Sequence, residues 1–341
     1  MKKYILEVTT GQQNTAGTKA KEDITDILES ESFARVSIKL KSSKLWKLFF
    51  LKKVVAKKMN AMKSGDVFVI QYPMYSEHTL KFILQECKRK SIKTVGIIHD
   101  IESLRMFRDD KHKISNELNI FNEMTVLITH NIRMSNWLES NHITSPLVPL
   151  EIFDYLNSYK NVNTDLNDSI VFAGNLEKAK FLEKWNGPKK IKLYGINPSS
   201  KYDEYINYKG AKSPDELPKF LSGSFGLIWD GDKLSTNSGI FGEYTKFNNP
   251  HKVSLYLSCG LPVIVWNQAA IADFVKKNNV GIIVRSIGEM QEKIDLMSEE
   301  SYDAMHKNAK EMSKLVKKGF FIKRAITASL EEINRLNTRV I

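Results

Sequence analysis

Along its first half the chain alternates short apolar runs with stretches of helical period. The runs at 4–8, 36–40, 67–72, 94–99, 126–129 and 147–150 predict strands, and the segments at 20–28, 45–62, 79–90 and 132–140 predict helices between them. Strands alternating with helices are the pattern of a parallel sheet covered on its faces. The pattern resumes with strands predicted at 170–173, 191–194, 206–208, 225–229, 261–266 and 281–284, and helices at 213–221, 250–258, 269–277 and 288–297. From 299 to 337 only the helical period remains, which predicts terminal helices packed over the sheets.

A polar stretch rich in Asn and Asp, 157–168, interrupts this order and is the expected linker. With 341 residues the chain exceeds the size at which one core keeps growing, so two domains are expected. The boundaries drawn are 1–156, 157–318, and a last helix over 319–341 packing back toward the N-terminal domain. The architecture expected is α/β, with two Rossmann-like, doubly wound domains facing across a cleft.

Composition adds few constraints. No uninterrupted apolar run approaches the roughly 18 residues of a membrane span, and the N-terminus lacks a signal-peptide pattern, so a cytoplasmic protein is expected. Cys87 and Cys259 lie in predicted helices without metal-ligand spacing and are expected as packed thiols. Charge is more informative. The net charge is +12, and the acid-free segment 35–63 holds ten positive charges interleaved with apolar residues that include Trp46, Phe49 and Phe50. A solvated face of a core helix, a membrane-surface or oligomer contact, and nucleic-acid binding all fit such a segment, although no nucleic-acid motif accompanies it.

In open α/β sheets ligands lie beyond the carboxyl ends of the strands, which directs attention to the residues just after each one. Gly174-Asn175 follows the strand at 170–173, with Lys178 close behind. Tyr208-Lys209-Gly210 follows the next-but-one strand, ahead of Ser213-Pro-Asp-Glu216, a capped helix start. Asp230-Gly231-Asp232 offers two carboxylates, too few for a cation site. Asn249-Pro-His251-Lys252 opens a helix whose first-turn N–H groups and dipole attract an anion; Gly260 ends it, and the buried-type strand follows. In the first half, the loop after the first strand carries Gly11, Asn14, Thr15, Gly17 and Thr18, donors suited to a hydroxyl-rich ligand. His99-Asp100 and His130-Asn131 stand at two further strand ends.

Taken in order, Gly174-Asn-Leu, Tyr208-Lys-Gly210 with Pro214-Asp-Glu-Leu-Pro218, and Asn249-Pro-His-Lys252 running into Cys259-Gly-Leu-Pro-Val-Ile264 resemble the nucleotide-binding half of GT-B glycosyltransferases. With the loop 9–18 and Gly96-Ile-Ile-His-Asp100, the whole chain is similar to the bacterial glucosyltransferase 3 family and to galactofuranosyltransferase-like proteins. That family extends N-acetylglucosamine on serine-rich-repeat adhesins. The resemblance implies a UDP-sugar on the C-terminal domain and the acceptor on the N-terminal one. Gly174, Asn175 and Lys178 would face the diphosphate, Tyr208 and Lys209 the uracil, and Asn249, His251 and Lys252 the phosphates and ribose. One position departs from the pattern: many GT-B enzymes carry a ribose-binding glutamate where this chain has Leu255.

The function expected is hexosyl transfer, glucose from UDP-glucose onto a GlcNAc-modified serine-rich-repeat protein. The alternatives are UDP-GlcNAc or UDP-galactofuranose with a membrane-linked glycan, or a non-catalytic partner of another glycosyltransferase. Asp100, His99 and Lys252 are the expected catalytic residues, with Asp100 as base if the anomeric centre inverts and as an orienting group if it does not. Asn14, Thr15, Gly17 and Thr18 are assigned to the acceptor. Neither metal nor cofactor is expected. A homo-oligomer is expected, together with a possible peripheral membrane contact and no nucleic acid.

Overall fold

The computed structural model describes residues 1–9, 16–39, 51–74, 76–160, 164–187 and 189–338. Two compact units are present: Met1–Leu150 with Ile322–Ile341, and Glu151–Phe321. The Asn- and Asp-rich stretch 157–168 therefore lies inside the second unit instead of between the two. Buried Tyr155 anchors the chain ahead of it by donating to the Pro214 carbonyl at 2.6 Å, and Asn157 Nδ2 donates to Ser258 Oγ at 2.7 Å.

The first unit is a six-stranded, wholly parallel sheet of β1 (Lys3–Thr9), β2 (Ala34–Lys39), β3 (Val67–Tyr72), β4 (Lys93–Ile98), β5 (Val126–Thr129) and β6 (Leu147–Pro149), in the order β2-β1-β3-β4-β5-β6. Every residue of β3 is buried, as expected of a strand covered on both faces. The helices are α1 (Ala16–Ser30), α2 (Leu51–Lys58), α3 (Glu77–Arg89), α4 (Glu102–Met106), α5 (Lys111–Asn122) and α6 (Ile132–Ser140). Helices α4 and α5 had no counterpart in the hydrophobic pattern. Buried Glu117 of α5 joins them: its two carboxylate oxygens accept from the Glu102 and Ser103 N–H groups at 2.8 Å each, and Oε1 also accepts from the Tyr72 hydroxyl at 2.7 Å. A first turn that would otherwise lack partners is thereby satisfied.

In the described part of the basic segment, Leu51 and Val55 of α2 are buried and Lys52, Lys53, Lys57 and Lys58 exposed, the solvated face of a core helix. Arg35 is held by Glu7, Asp26 and Glu29 at 2.6 to 3.1 Å. Trp46, Phe49 and Phe50 lie outside the described residues. No helix among the described residues is long and apolar enough to cross a membrane.

The second unit carries β7 (Ile170–Asn175), β8 (Ile191–Ile196), β9 (Ile206–Tyr208), β10 (Gly226–Ile228), β11 (Val263–Trp266) and β12 (Gly281–Val284), again all parallel, in the order β12-β11-β10-β7-β8-β9. The chain begins at the middle of the sheet, winds outward through β9, then returns to lay β10 on the other side of β7. Helices α7 (Gly239–Tyr244), α8 (His251–Ser258), α9 (Ala272–Asn278), α10 (Ile287–Asp295) and α11 (Glu299–Val316) follow, and α12 (Phe320–Thr338) belongs to the first unit from Ile322 on. The helix expected at 213–221 is instead one 3-10 turn, Leu217–Lys219. Pro218 stands in the first positions of that turn, and inside an α-helix begun at 213 it would have no N–H to give and a ring that crowds the preceding turn. Cys87 and Cys259 are buried free thiols, their pKa values pushed up by burial to about 12 and about 11.

β7 and β10 meet at a single register position, Gly226 with Val171. Beyond it the Ala173 N–H donates to the phenol of buried Tyr256 on α8, at 2.8 Å, instead of to a strand carbonyl. Gly226 makes room for that ring, because a Cβ there would stand 2.3 Å from it.

Candidate functional site

The reversal of strand order between β7 and β10 fixes where a ligand crevice forms in the second unit, outside the carboxyl ends of those two strands. Gly174 and Asn175 end β7, and Asp230 follows β10. Lys252, the second residue of α8, reaches into this place. Its Nζ lies 3.1 Å from Asp230 Oδ1 and 4.4 Å from the centre of the Phe172 ring, and a Cβ on Gly174 would be 3.1 Å from its Cε. Gly174 therefore serves as floor for the lysine stem, in a backbone conformation (φ +154°) that other residues rarely adopt.

The neighbouring strand end repeats the device. Gly195 of β8 pairs with Gly174 at φ +151°, and a Cβ there would fall 1.9 Å from the Gly174 carbonyl oxygen. Its own carbonyl accepts from the Tyr208 hydroxyl at 2.9 Å, leaving that half-exposed ring on the open side of β9. Asn175 caps the following 3-10 turn, Leu176–Lys178: its Oδ1 accepts from the Glu177 N–H and from Asn197 Nδ2, each at 3.1 Å. The Lys178 ammonium sits 3.9 Å from the centre of the Phe241 ring, and its carbonyl accepts from the Gly231 N–H at 2.8 Å. That bond ties the turn after β7 to the loop after β10.

Gly174 and Asn175 thus end β7, Lys178 closes the turn that follows, and Lys252 reaches Gly174 from the start of α8 beside Asp230 after β10. Three other expected residues sit differently. Lys209 is exposed, and its N–H is spent on the Leu193 carbonyl. Asn249 is buried, donating to the Glu151 carbonyl at 2.6 Å, so its amide fastens the start of α8 to the start of the unit. The His251 ring packs against Tyr155 and Phe153, at 5.0 and 6.0 Å between centres. Asp232 is bound within its own loop, where the Ser238 hydroxyl donates to it at 2.7 Å and holds its carboxyl below the usual range.

Sequence reasoning missed Gly195, although a glycine ending a strand was the signal used for Gly174. It also missed Asp230 as the partner of Lys252, having considered that carboxylate only for a metal. Phe172 and Phe241, the platforms beneath the two lysines, carry no sequence signal of their own. Among the described residues, no group of three or more His, Cys, Asp or Glu is placed to hold a metal ion.

In the first unit the strand order reverses between β1 and β3, and the described residues nearest that reversal form a polar cluster. His99, just past β4, hydrogen-bonds through Nε2 with Gln71 Oε1 at 2.9 Å. Asp100 pairs with Arg105, which also reaches Glu102 at 2.6 Å. Lys21 of α1 donates to the Pro73 carbonyl; burial lowers its pKa to about 8, against the opposing pull of Asp100 and Glu102. Gly17 and Thr18, expected in a loop, lie in the first turn of α1, while Asn14 and Thr15 lie outside the described residues. His130 and Asn131 are structural. Asn131 caps α6 by accepting from the Met134 N–H at 3.0 Å, and His130 is buried, which depresses its pKa to about 4 against hydrogen bonds with the backbone at His99 and Ile98.

Comparison with known proteins finds matches to both halves of the chain. The family described as glucosyltransferase 3-like, N-terminal domain, matches residues 2–152, and its C-terminal counterpart matches 170–329. A beta-1,6-galactofuranosyltransferase of Escherichia coli is 33% identical over 345 residues, 98% of this chain and 100% of that protein. Glucosyltransferase 3 of Streptococcus parasanguinis is 27% identical over 79% of this chain and 80% of its own. Among solved structures, a trehalose-6-phosphate synthase superposes with a TM-score of 0.61 at 11% identity, covering 96% of this chain and 99% of that one. Sucrose-phosphate synthase from Thermosynechococcus elongatus superposes with a TM-score of 0.58 at 11% identity over 99% of each. Likeness at that identity establishes the fold, which is GT-B.

Proposed function

The chain belongs to the glucosyltransferase 3-like family of glycosyltransferases, and on that premise we propose that it transfers a hexose from a UDP-sugar, glucose from UDP-glucose, onto a GlcNAc-bearing serine-rich-repeat protein. The observation that carries the donor half is Lys252, laid over Gly174 and against Asp230 at the strand reversal between β7 and β10. In the transfer the acceptor oxygen bonds to the anomeric carbon while that carbon's bond to the diphosphate breaks, and the electron pair leaves with UDP. Lys252 and Lys178 stabilise the charge gathering on the departing diphosphate, aided by the amino end of α8. Asn175 and the backbone at Gly174 line the phosphates, and Tyr208 addresses the base.

His99 and Asp100 receive the acceptor hydroxyl, Asp100 taking its proton if the reaction inverts and orienting it otherwise. A second donor reading has its own support: the likeness to the E. coli galactofuranosyltransferase runs the full length of both proteins, which favours UDP-galactofuranose with a glycan acceptor. Release of UDP from UDP-glucose, UDP-GlcNAc and UDP-galactofuranose, measured with a GlcNAc-modified peptide and with a lipid-linked glycan, separates these readings. Release from none of them leaves a non-catalytic partner of another glycosyltransferase.

A further inference from the structure

We propose that Gln71 is a positioning residue that fixes where the His99 imidazole carries its proton, keeping Nε2 protonated in every charge state and making Nδ1 the nitrogen that titrates. The argument starts from the buried Gln71 amide. Its Nε2 lies 3.0 Å from the Lys21 carbonyl oxygen and 3.1 Å from Thr25 Oγ1. The carbonyl can only accept. Thr25 has already committed its hydroxyl proton to that same carbonyl at 2.8 Å, so toward Gln71 its oxygen is an acceptor as well. Two acceptors therefore face this end of the amide, and only the NH2 group, with two hydrogens, satisfies both; the reversed amide would set oxygen against two oxygens.

The orientation of the amide settles the imidazole. Oε1 must point at His99 Nε2, 2.9 Å away, and the only hydrogen available for that bond is one on Nε2. This holds for the neutral ring and for the imidazolium, so the proton gained or lost belongs to Nδ1. Among the described residues, the charged and titratable groups of this cluster are Lys21 on α1, Asp100, Glu102 and Arg105 from the β4–α4 connection and α4, and His130 after β5, which meets the His99 backbone. For the reaction, and resting on the reading that His99 and Asp100 receive the acceptor hydroxyl, the charge of the ring beside that hydroxyl is set at Nδ1.

The test is a long-range proton–nitrogen correlation spectrum of the full chain labelled with nitrogen-15 in its seven histidines, with His99 assigned by the signals lost in His99→Gln. The wild type is expected to show the Nε2–H pattern at neutral pH and a titrating Nδ1. Gln71→Glu, of nearly the same shape, is expected to raise the His99 midpoint by about one pH unit or more. Gln71→Leu, which removes the acceptor, is expected to admit the Nδ1–H form. An Nδ1–H pattern in the wild type, or an unmoved midpoint in Gln71→Glu, overturns the proposal. These spectra need no substrate; transfer at the unmodified rate by His99→Gln would instead remove the acceptor reading alone.

Discussion

Lys252 and Asp230 hold one another across the strand reversal of the second unit, Nζ to Oδ1 at 3.1 Å, with both side chains largely buried. A lysine alone in that place would carry the cost of burial, and a carboxylate alone would repel a diphosphate. Together they keep the cation in position beside Gly174, where the proposed diphosphate would compete with Asp230 for it.

Replacing Lys252 by Ala is expected to reduce kcat by about 10²- to 10³-fold, the ~3–4 kcal/mol lost with one preorganised donor at a developing anion, and to lower Tm by leaving Asp230 without its cation while the protein stays folded. Asp230→Asn leaves the lysine in place and should cost less turnover. Steady-state kinetics of UDP release checks both. Near-normal turnover in Lys252→Ala would move the diphosphate elsewhere.

The paired glycines should respond differently to alanine. At Gly195 the new Cβ meets a backbone oxygen at 1.9 Å, so Gly195→Ala is expected to lose on the order of 2 kcal/mol or more of stability, read from chemical denaturation. At Gly174 the new Cβ meets the flexible Lys252 stem at 3.1 Å, so activity should fall by more than the lost stability explains. Equal losses of stability and activity in both variants would contradict the floor assigned to Gly174.

Activity is expected to persist in excess EDTA. Asp230 is engaged by Lys252 and Asp232 by Ser238, and the proposed charge stabilisation comes from lysines. Loss of transfer in EDTA with rescue by manganese or magnesium would reassign the two aspartates as metal ligands.

Stability should fall with acid through His130. Its folded pKa of about 4 lies below the unfolded value near 6.5, so between those values the unfolded chain binds a proton that the folded one refuses. Stability is therefore full above pH ~6.5 and is lost progressively toward pH ~4, by about 3 kcal/mol. Urea midpoints measured between pH 7 and 4 should show this slope, and His130→Gln should flatten it.

Both sheets were readable because parallel strands covered on both faces leave apolar runs; β3 and β5, buried along their whole length, fall at the residues the pattern predicts, as do β9 and β12. Helix α4 was not readable, since its five residues depend on Glu117, a carboxylate from another helix. The same divide runs through the site. Gly174 and Lys252 were legible because a strand end and a helix start are local features. Their union with Asp230 was not, because it depends on how β10 and α8 cross. His130 stands at a strand end as His99 does, yet it is 1% exposed, and sequence position alone does not tell an inward imidazole from an outward one.

The Tyr256 phenol that takes the Ala173 N–H has a consequence for how this protein can change over time. The parting of β7 from β10 is wedged open from beneath by a ring in the core, so the opening at the top of the sheet does not depend on the loops that rim it. Those loops can vary without closing the opening, while the wedge and the bare Gly226 beneath it can change only together.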